Sequence, residues 1–157
     1  MPTVYLNIGS NKGHRHALIE RAVALISDTF PDAALRRSSI IESAPWGYAS
    51  DSTFLNIGVA LDFDTEPRPT ELLEILQRIE RSISPEAHRN PDGSYRDRCL
   101  DIDIIAIDTL KVDTECLKLP HPRAALRDFV MIPLRELAPA RVVDFVCSSY
   151  LSHAHYR

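Results

Sequence analysis

Two carboxylates, Asp101 and Asp103, stand two residues apart in the run Asp97-Arg98-Cys99-Leu100-Asp101-Ile102-Asp103-Ile104-Ile105. On a strand, positions i and i+2 share one face and lie about 7 Å apart. That separation suits oxygen ligation of one hard cation, or of two cations about 4 Å apart. The competing reading is a polar outer face, with each aspartate paired to Arg96 or Arg98. The neighbours bear on the choice: His88, Arg89, Arg96 and Arg98 precede the pair, and His121, Arg123 and Arg127 follow it. Carboxylates for Mg²⁺ beside guanidiniums for phosphate is the equipment of phosphoryl transfer. A solvated salt-bridge surface has the same composition.

Other residues carry the same choice between a structural and a ligand role. Gly9-Ser10-Asn11-Lys12-Gly13 lacks the spacing of a phosphate loop and reads as a strand-to-helix turn. Trp46, in the break Ala44-Pro45-Trp46-Gly47, is either core or a ligand-lining wall. Phe54 and Phe129 are hydrophobic filler or stacking walls. Asn56 lies mid-strand, where asparagine is a poor strand former. It either bonds a loop or reads the polar edge of a ligand. The six histidines show no metal-ligand spacing, and His153 and His155 fall in a tail at the surface. Cys99 reads as a small apolar filler.

The elements that must position these residues follow from periodicity. Thr3–Ile8 alternates and ends at a turn signal, which predicts strand one. Asn11 can cap a helix carrying Leu18, Ile19, Ala22, Leu25 and Ile26, which should stop before Pro31. Arg37–Ser43 and Phe54–Phe63 read as strands two and three, and Pro69 opens helix two through Ile79. A polar loop, Ser82–Ser94, leads to strand four over Arg98–Ile107, then to Leu119-Pro120-His121-Pro122 and short helical segments at 124–128 and 131–137. The order β-α-β-β-α-β implies an α+β, ferredoxin-like antiparallel sheet with helices on one face and a C-terminal helical extension. The period of two sends Val4, Leu6, Ile8, Leu55, Ile57, Val59, Leu100, Ile102 and Ile104 to the helices. Tyr5, Asn7, Phe54, Asn56, Asp101 and Asp103 point to the opposite face.

The 157 residues suit one domain, spanning 1–157. A net charge of −4 argues against a nucleic-acid or membrane-surface partner. No apolar run approaches the length of a membrane span, and the N-terminus lacks a signal-peptide pattern. Three scattered cysteines make neither a disulfide framework nor a zinc site, so a cytoplasmic location is expected.

Taken together, these residues resemble the 6-hydroxymethyl-7,8-dihydropterin pyrophosphokinase family of folate biosynthesis. The carrying motifs are Tyr5-Leu6-Asn7-Ile8-Gly9-Ser10-Asn11, Phe54-Leu55-Asn56, Gln77-Arg78-Ile79-Glu80, the aspartate run, Leu119-Pro120-His121-Pro122-Arg123 and Phe129-Val130-Met131-Ile132-Pro133-Leu134. They occur in family order across residues 3–139. The resemblance implies transfer of the terminal diphosphate of ATP to the pterin hydroxymethyl group, with release of AMP. It implies two Mg²⁺ ions on Asp101 and Asp103, with Arg98 near the phosphates. It implies ATP contacts at Gln77, Glu80, Arg98, His121 and Arg127. For the pterin it implies Asn56, Phe129, Tyr5 or Phe54, and Ser43, Ala44 and Trp46 from the loop after strand two. The chain departs from the family pattern at Ser84-Pro85, at Tyr95-Arg96-Asp97-Arg98 and at Pro122. Among other classes, an RNA-binding module fits poorly with an acidic chain lacking a stacking motif. A palm-like nucleotidyl transferase ranks below the kinase, because strand one offers Asn7 and no acid. A monomer without a fused folate enzyme is expected.

Overall fold

A computed structural model describes residues 1–44, 53–85, 91–92 and 99–154, with side chains to 149. Its principal sheet is antiparallel. Strand β1 (Thr3–Ser10) lies between β4 (Phe54–Asp62) and β5 (Asp101–Ile107). The far side of β4 carries β2 (Ala34–Arg37) and β3 (Ile41–Ser43), so the order is β2-β4-β1-β5 with β3 also on β4. Helices α1 (Arg15–Thr29) and α2 (Pro69–Ile83) cover one face. The predicted alternation holds there: Val4, Leu6, Ile8, Ile57, Val59, Leu100, Ile102 and Ile104 join Ile19, Ile26, Leu72 and Leu76 in one core. Truncating a residue such as Leu100 in a core of this kind costs about 2–5 kcal/mol.

The other face is not wholly open, and this corrects the sequence expectation. Helices α3 (Asp128–Leu137) and α4 (Ala140–Ala154) pack across it and form a second core with Tyr5, Ala60, Ile105 and Ala106. Alanine on both neighbours of Tyr5, in the rows Tyr5–Ala60 and Tyr5–Ala106, leaves room for the ring under Val130, Met131 and Val142. A register shift between Tyr5 and Leu6 on the β5 side adds one residue to β5. The bulge turns Ile105 and Ala106 towards the second core and returns Ile107 to the first.

Three further expectations change. Strand two is two strands, because Ser38 interrupts it: its Oγ accepts the Gly58 N–H at 2.8 Å in place of a backbone carbonyl. Asn11 is buried short of the helix, and α1 begins after His14, beyond Gly13 with φ of 73°. The expected C-terminal helical extension includes a full helix, α4 (Ala140–Ala154), which takes in His153, read from the sequence as part of a tail; His155 lies outside the described residues. A two-stranded hairpin, β6 (Val112–Asp113) with β7 (Lys118–Leu119), adds a feature the periodicity did not reveal.

Gly58 is where α3 meets the sheet. A Cβ there would stand 2.8 Å from Pro133 Cβ and 3.2 Å from Leu137 Cδ1. Gly58→Val is therefore expected to lift α3 and lower unfolding stability by about 1–3 kcal/mol, read by urea denaturation. An unchanged midpoint would show that α3 can shift without cost.

Candidate active site

The two aspartates start β5 on the face opposite the first core, and both are half-buried. Leu100 and Ile102 on either side of Asp101 are buried, which leaves the carboxylates no freedom to exchange faces. The outer edge of β5 is a row of backbone groups that a sheet must pair or cover. Two contacts cover it here. Glu80 of α2, itself buried, accepts the Ile102 N–H through Oε2 at 2.9 Å. His121 donates its backbone N–H to Ile105 O, the bulged residue, at 2.8 Å.

Between these two contacts a cleft of about 380 Å³ runs along the β5 edge. Leu73, Gln77 and Glu80 of α2 form one wall; Glu115–Lys118 of the hairpin, His121 and Pro122 form the other; Asp101 and Asp103 line the floor. Gln77, Glu80 and His121 thus meet the aspartate pair in one place. The sequence reading missed Leu73 and the hairpin wall, since no local pattern attaches residues 112–119 to the edge of β5. Glu80 has a structural bond as well as a cleft position.

His121 carries the clearest electrostatic signature. Burial, followed by the positive charges of Arg127 and Arg123, pushes its pKa from 6.5 down to about 4, against the pull of Asp101. Its Nδ1 accepts the Arg123 N–H at 3.2 Å, so the neutral ring carries its proton on Nε2 and can donate there. An unfolded chain protonates this histidine near pH 6.5 and the folded one only near pH 4. Between those values the unfolded state binds more protons, so acidification favours unfolding. His121→Asn is expected to lose less stability than the wild type between pH 7 and 4.5, by about 1–3 kcal/mol. Denaturant titrations at the two pH values measure it, and parallel losses in both proteins would reject the assignment.

On the open part of the second face, Arg127 stands at the N-cap position of α3 without a side-chain capping bond, and its guanidinium lies 5.7 Å from the centre of the Phe129 ring. Asn7 secures that turn to β1, donating Nδ2–H to Phe129 O at 2.9 Å. Asn7 is buried beside Asp103 in register and was not read from the sequence as a site residue. Across the sheet, Asn56 donates Nδ2–H to Ser43 Oγ at 2.9 Å, and half-buried Phe54 and exposed Ala44 lie nearby in sequence.

Tyr5 is a correction: its ring is 3% exposed in the second core rather than lining an open face. Burial raises its phenol above the ordinary range while Arg36 opposes the shift. The physical reason is α3 and α4, whose docking covers that end of the face. Trp46 and Arg98, with His88, Arg89 and Arg96, lie outside the described residues. Among the described residues no group of three or more histidine, cysteine, aspartate or glutamate side chains could hold a metal ion. No helix among them is long and apolar enough to cross a membrane.

A polar cleft with an aspartate pair on its floor and an imidazole donor on its wall, beside a sheet face bearing a carboxamide and aromatic rings, defines a class. It suits a phosphotransfer enzyme with one polyanionic and one flat, polar-edged substrate. Comparison with known proteins narrows that class. The family model for 7,8-dihydro-6-hydroxymethylpterin-pyrophosphokinase matches residues 5–139. A 2-amino-4-hydroxy-6-hydroxymethyldihydropteridine pyrophosphokinase from Porphyromonas gingivalis is 41% identical over 140 residues, covering 88% of this chain and 92% of the relative. One of the same name from Methylorubrum extorquens is 36% identical over 143 residues, covering 91% and 87%. A solved HPPK-DHPS in complex with substrates has a TM-score of 0.64 at 13% identity; the match takes in 99% of this chain and 44% of that one, and shows the shared fold. The chain belongs to the 7,8-dihydro-6-hydroxymethylpterin-pyrophosphokinase family.

Proposed function

We propose that this chain transfers the β,γ-diphosphate of ATP to the hydroxymethyl group of 6-hydroxymethyl-7,8-dihydropterin in a magnesium-dependent reaction, with Asp101 and Asp103 as the metal-binding carboxylates. Pyrophosphoryl transfer to this pterin, a step of folate biosynthesis, is the activity of the family to which the chain belongs. The observation that carries the residue assignment is the half-buried aspartate pair lining a cleft with Gln77, Glu80 and His121. Two carboxylates without a third protein ligand among the described residues fit Mg²⁺, which keeps waters and substrate phosphates in its shell. When bound, Mg²⁺ neutralises triphosphate charge and polarises the attacking hydroxyl.

The chain's own part is positioning and charge. The pterin hydroxyl oxygen attacks the β-phosphorus in line. The bond from that phosphorus to the oxygen it shares with the α-phosphorus breaks, and AMP leaves with the electron pair. The hydroxyl proton passes to solvent. His121 donates Nε2–H to a phosphate oxygen, and Arg127, with Arg98, balances the charge on the transferred group. Gln77 and Glu80 bound the nucleotide on the α2 side. Asn56 reads the polar edge of the pterin, Phe54 and Phe129 line its ring, and Ser43 at the end of β3, with Ala44 and Trp46 following it in sequence, completes the pterin side. We read the sheet as ferredoxin-like, supported by the order β2-β4-β1-β5 with α1 and α2 on one face. A cytoplasmic setting with free ATP suits this chemistry.

Calorimetry tests the proposal. A non-hydrolysable ATP analogue is expected to bind with Mg²⁺ and far more weakly in EDTA, and the pterin is expected to bind the analogue-loaded protein. Failure of the pterin to bind under either condition would defeat the substrate assignment. Equal analogue affinity with and without Mg²⁺ would defeat the role of the aspartates.

A further inference from the structure

Gly9 has an unexplained identity. It lies within β1 with no left-handed backbone angle, so nothing in its conformation calls for glycine. What calls for it is space. A Cβ at this position would stand 2.8 Å from Asn56 Oδ1 and 3.8 Å from Asn56 Cγ, with Phe54 Cδ1 at 3.5 Å. The carboxamide of Asn56 therefore lies over the bare backbone of β1. At its other end, Nδ2 is taken by Ser43 Oγ at 2.9 Å. With the side chain 2% exposed, those two neighbours leave it one orientation.

The row matters as well as the contact. Gly9 pairs with Asn56 on β4 and with Asp101 on β5, so Asn56, Gly9 and Asp101 form one line across β4, β1 and β5. Neighbouring strands are about 4.8 Å apart, which puts the Asn56 and Asp101 backbones about 10 Å from each other. A flat heterocycle held by Asn56, with a one-carbon arm reaching towards Asp101, needs the floor between them clear.

We infer that Gly9 is a positioning residue for the pterin: it leaves room for the Asn56 carboxamide and the floor beside it, while Ser43, already placed in the pterin site, holds the Nδ2 end. This rests on the pterin reading of the site. The atom a Gly9 Cβ would strike is the tip of a side chain, so Gly9→Ala should be absorbed by turning the amide. The fold then survives while recognition fails, which a packing role would not produce.

The test measures pterin binding to the protein loaded with Mg²⁺ and a non-hydrolysable ATP analogue. Gly9→Ala is expected to keep its thermal midpoint within a few degrees and its analogue affinity within about twofold, and to bind pterin about tenfold or more weakly. Ser43→Ala is expected to weaken pterin binding by about two- to fivefold. In an Asn56→Ala background, adding Gly9→Ala should cost less than about twofold more, because the group it displaces has gone. Wild-type pterin affinity in Gly9→Ala, an equal loss in the Asn56→Ala background, or failure of Gly9→Ala to fold would each overturn the inference. Wild-type protein that binds the analogue but no pterin would instead overturn the substrate assignment on which it rests.

Discussion

Asp101→Ala is expected to lower Mg²⁺-dependent AMP formation by about 10³-fold or more, with the thermal midpoint shifted by no more than a few degrees. The two halves of that expectation have separate causes. Asp101 is half-buried on the face opposite the first core, while Leu100 and Ile102 carry the packing of that segment. Removing the carboxylate empties no part of the core. On the proposed mechanism it removes one of two oxygen donors to the cation that would hold the triphosphate, and positioning with charge stabilisation supplies most of the rate in such reactions. Initial rates with ATP and pterin, together with a melting curve, test both halves. An Asp101→Ala protein with rates within tenfold of wild type would remove the aspartate from the metal site. An unfolded one would show that its role is structural.

The second large effect is expected at Glu80. Glu80→Leu deletes the acceptor for the Ile102 N–H, which the buried carboxylate now holds at 2.9 Å. An orphaned buried donor costs about 1–3 kcal/mol. Ile102 lies between Asp101 and Asp103, so the same change loosens the strand that sets the spacing of the pair. Turnover is expected to fall by about 10²-fold. Glu80→Gln, whose amide oxygen can still accept, should recover most of the stability. Amide exchange at Ile102 gives a site-specific measure: faster exchange in Glu80→Leu and near-wild-type exchange in Glu80→Gln support the bond. Unchanged exchange and turnover in Glu80→Leu would return Glu80 to a plain wall of the cleft.

The sequence by itself determined the elements whose signals are local. Alternation in Thr3–Ile8 and around Asp101 assigned the core face of β1 and β5 and turned both aspartates away from it. Pro69 marked the start of α2 where the helix indeed begins. The ordered motifs carry the family resemblance without any tertiary information. Tertiary structure decided everything that depends on residues far apart in the chain. The second core, and with it the burial of Tyr5, comes from α3 and α4 docking on a face that alternation alone leaves open. The bulge at Ile105 breaks the period of two, and its freed carbonyl is met by His121, sixteen residues later in the chain. The Glu80–Ile102 bond and the Gly9–Asn56 contact likewise join positions that no window of sequence brings together. A period reports which face a side chain takes. What lies against that face, and therefore whether an asparagine or a carboxylate serves packing or a ligand, is set only when the strands pair and the helices dock.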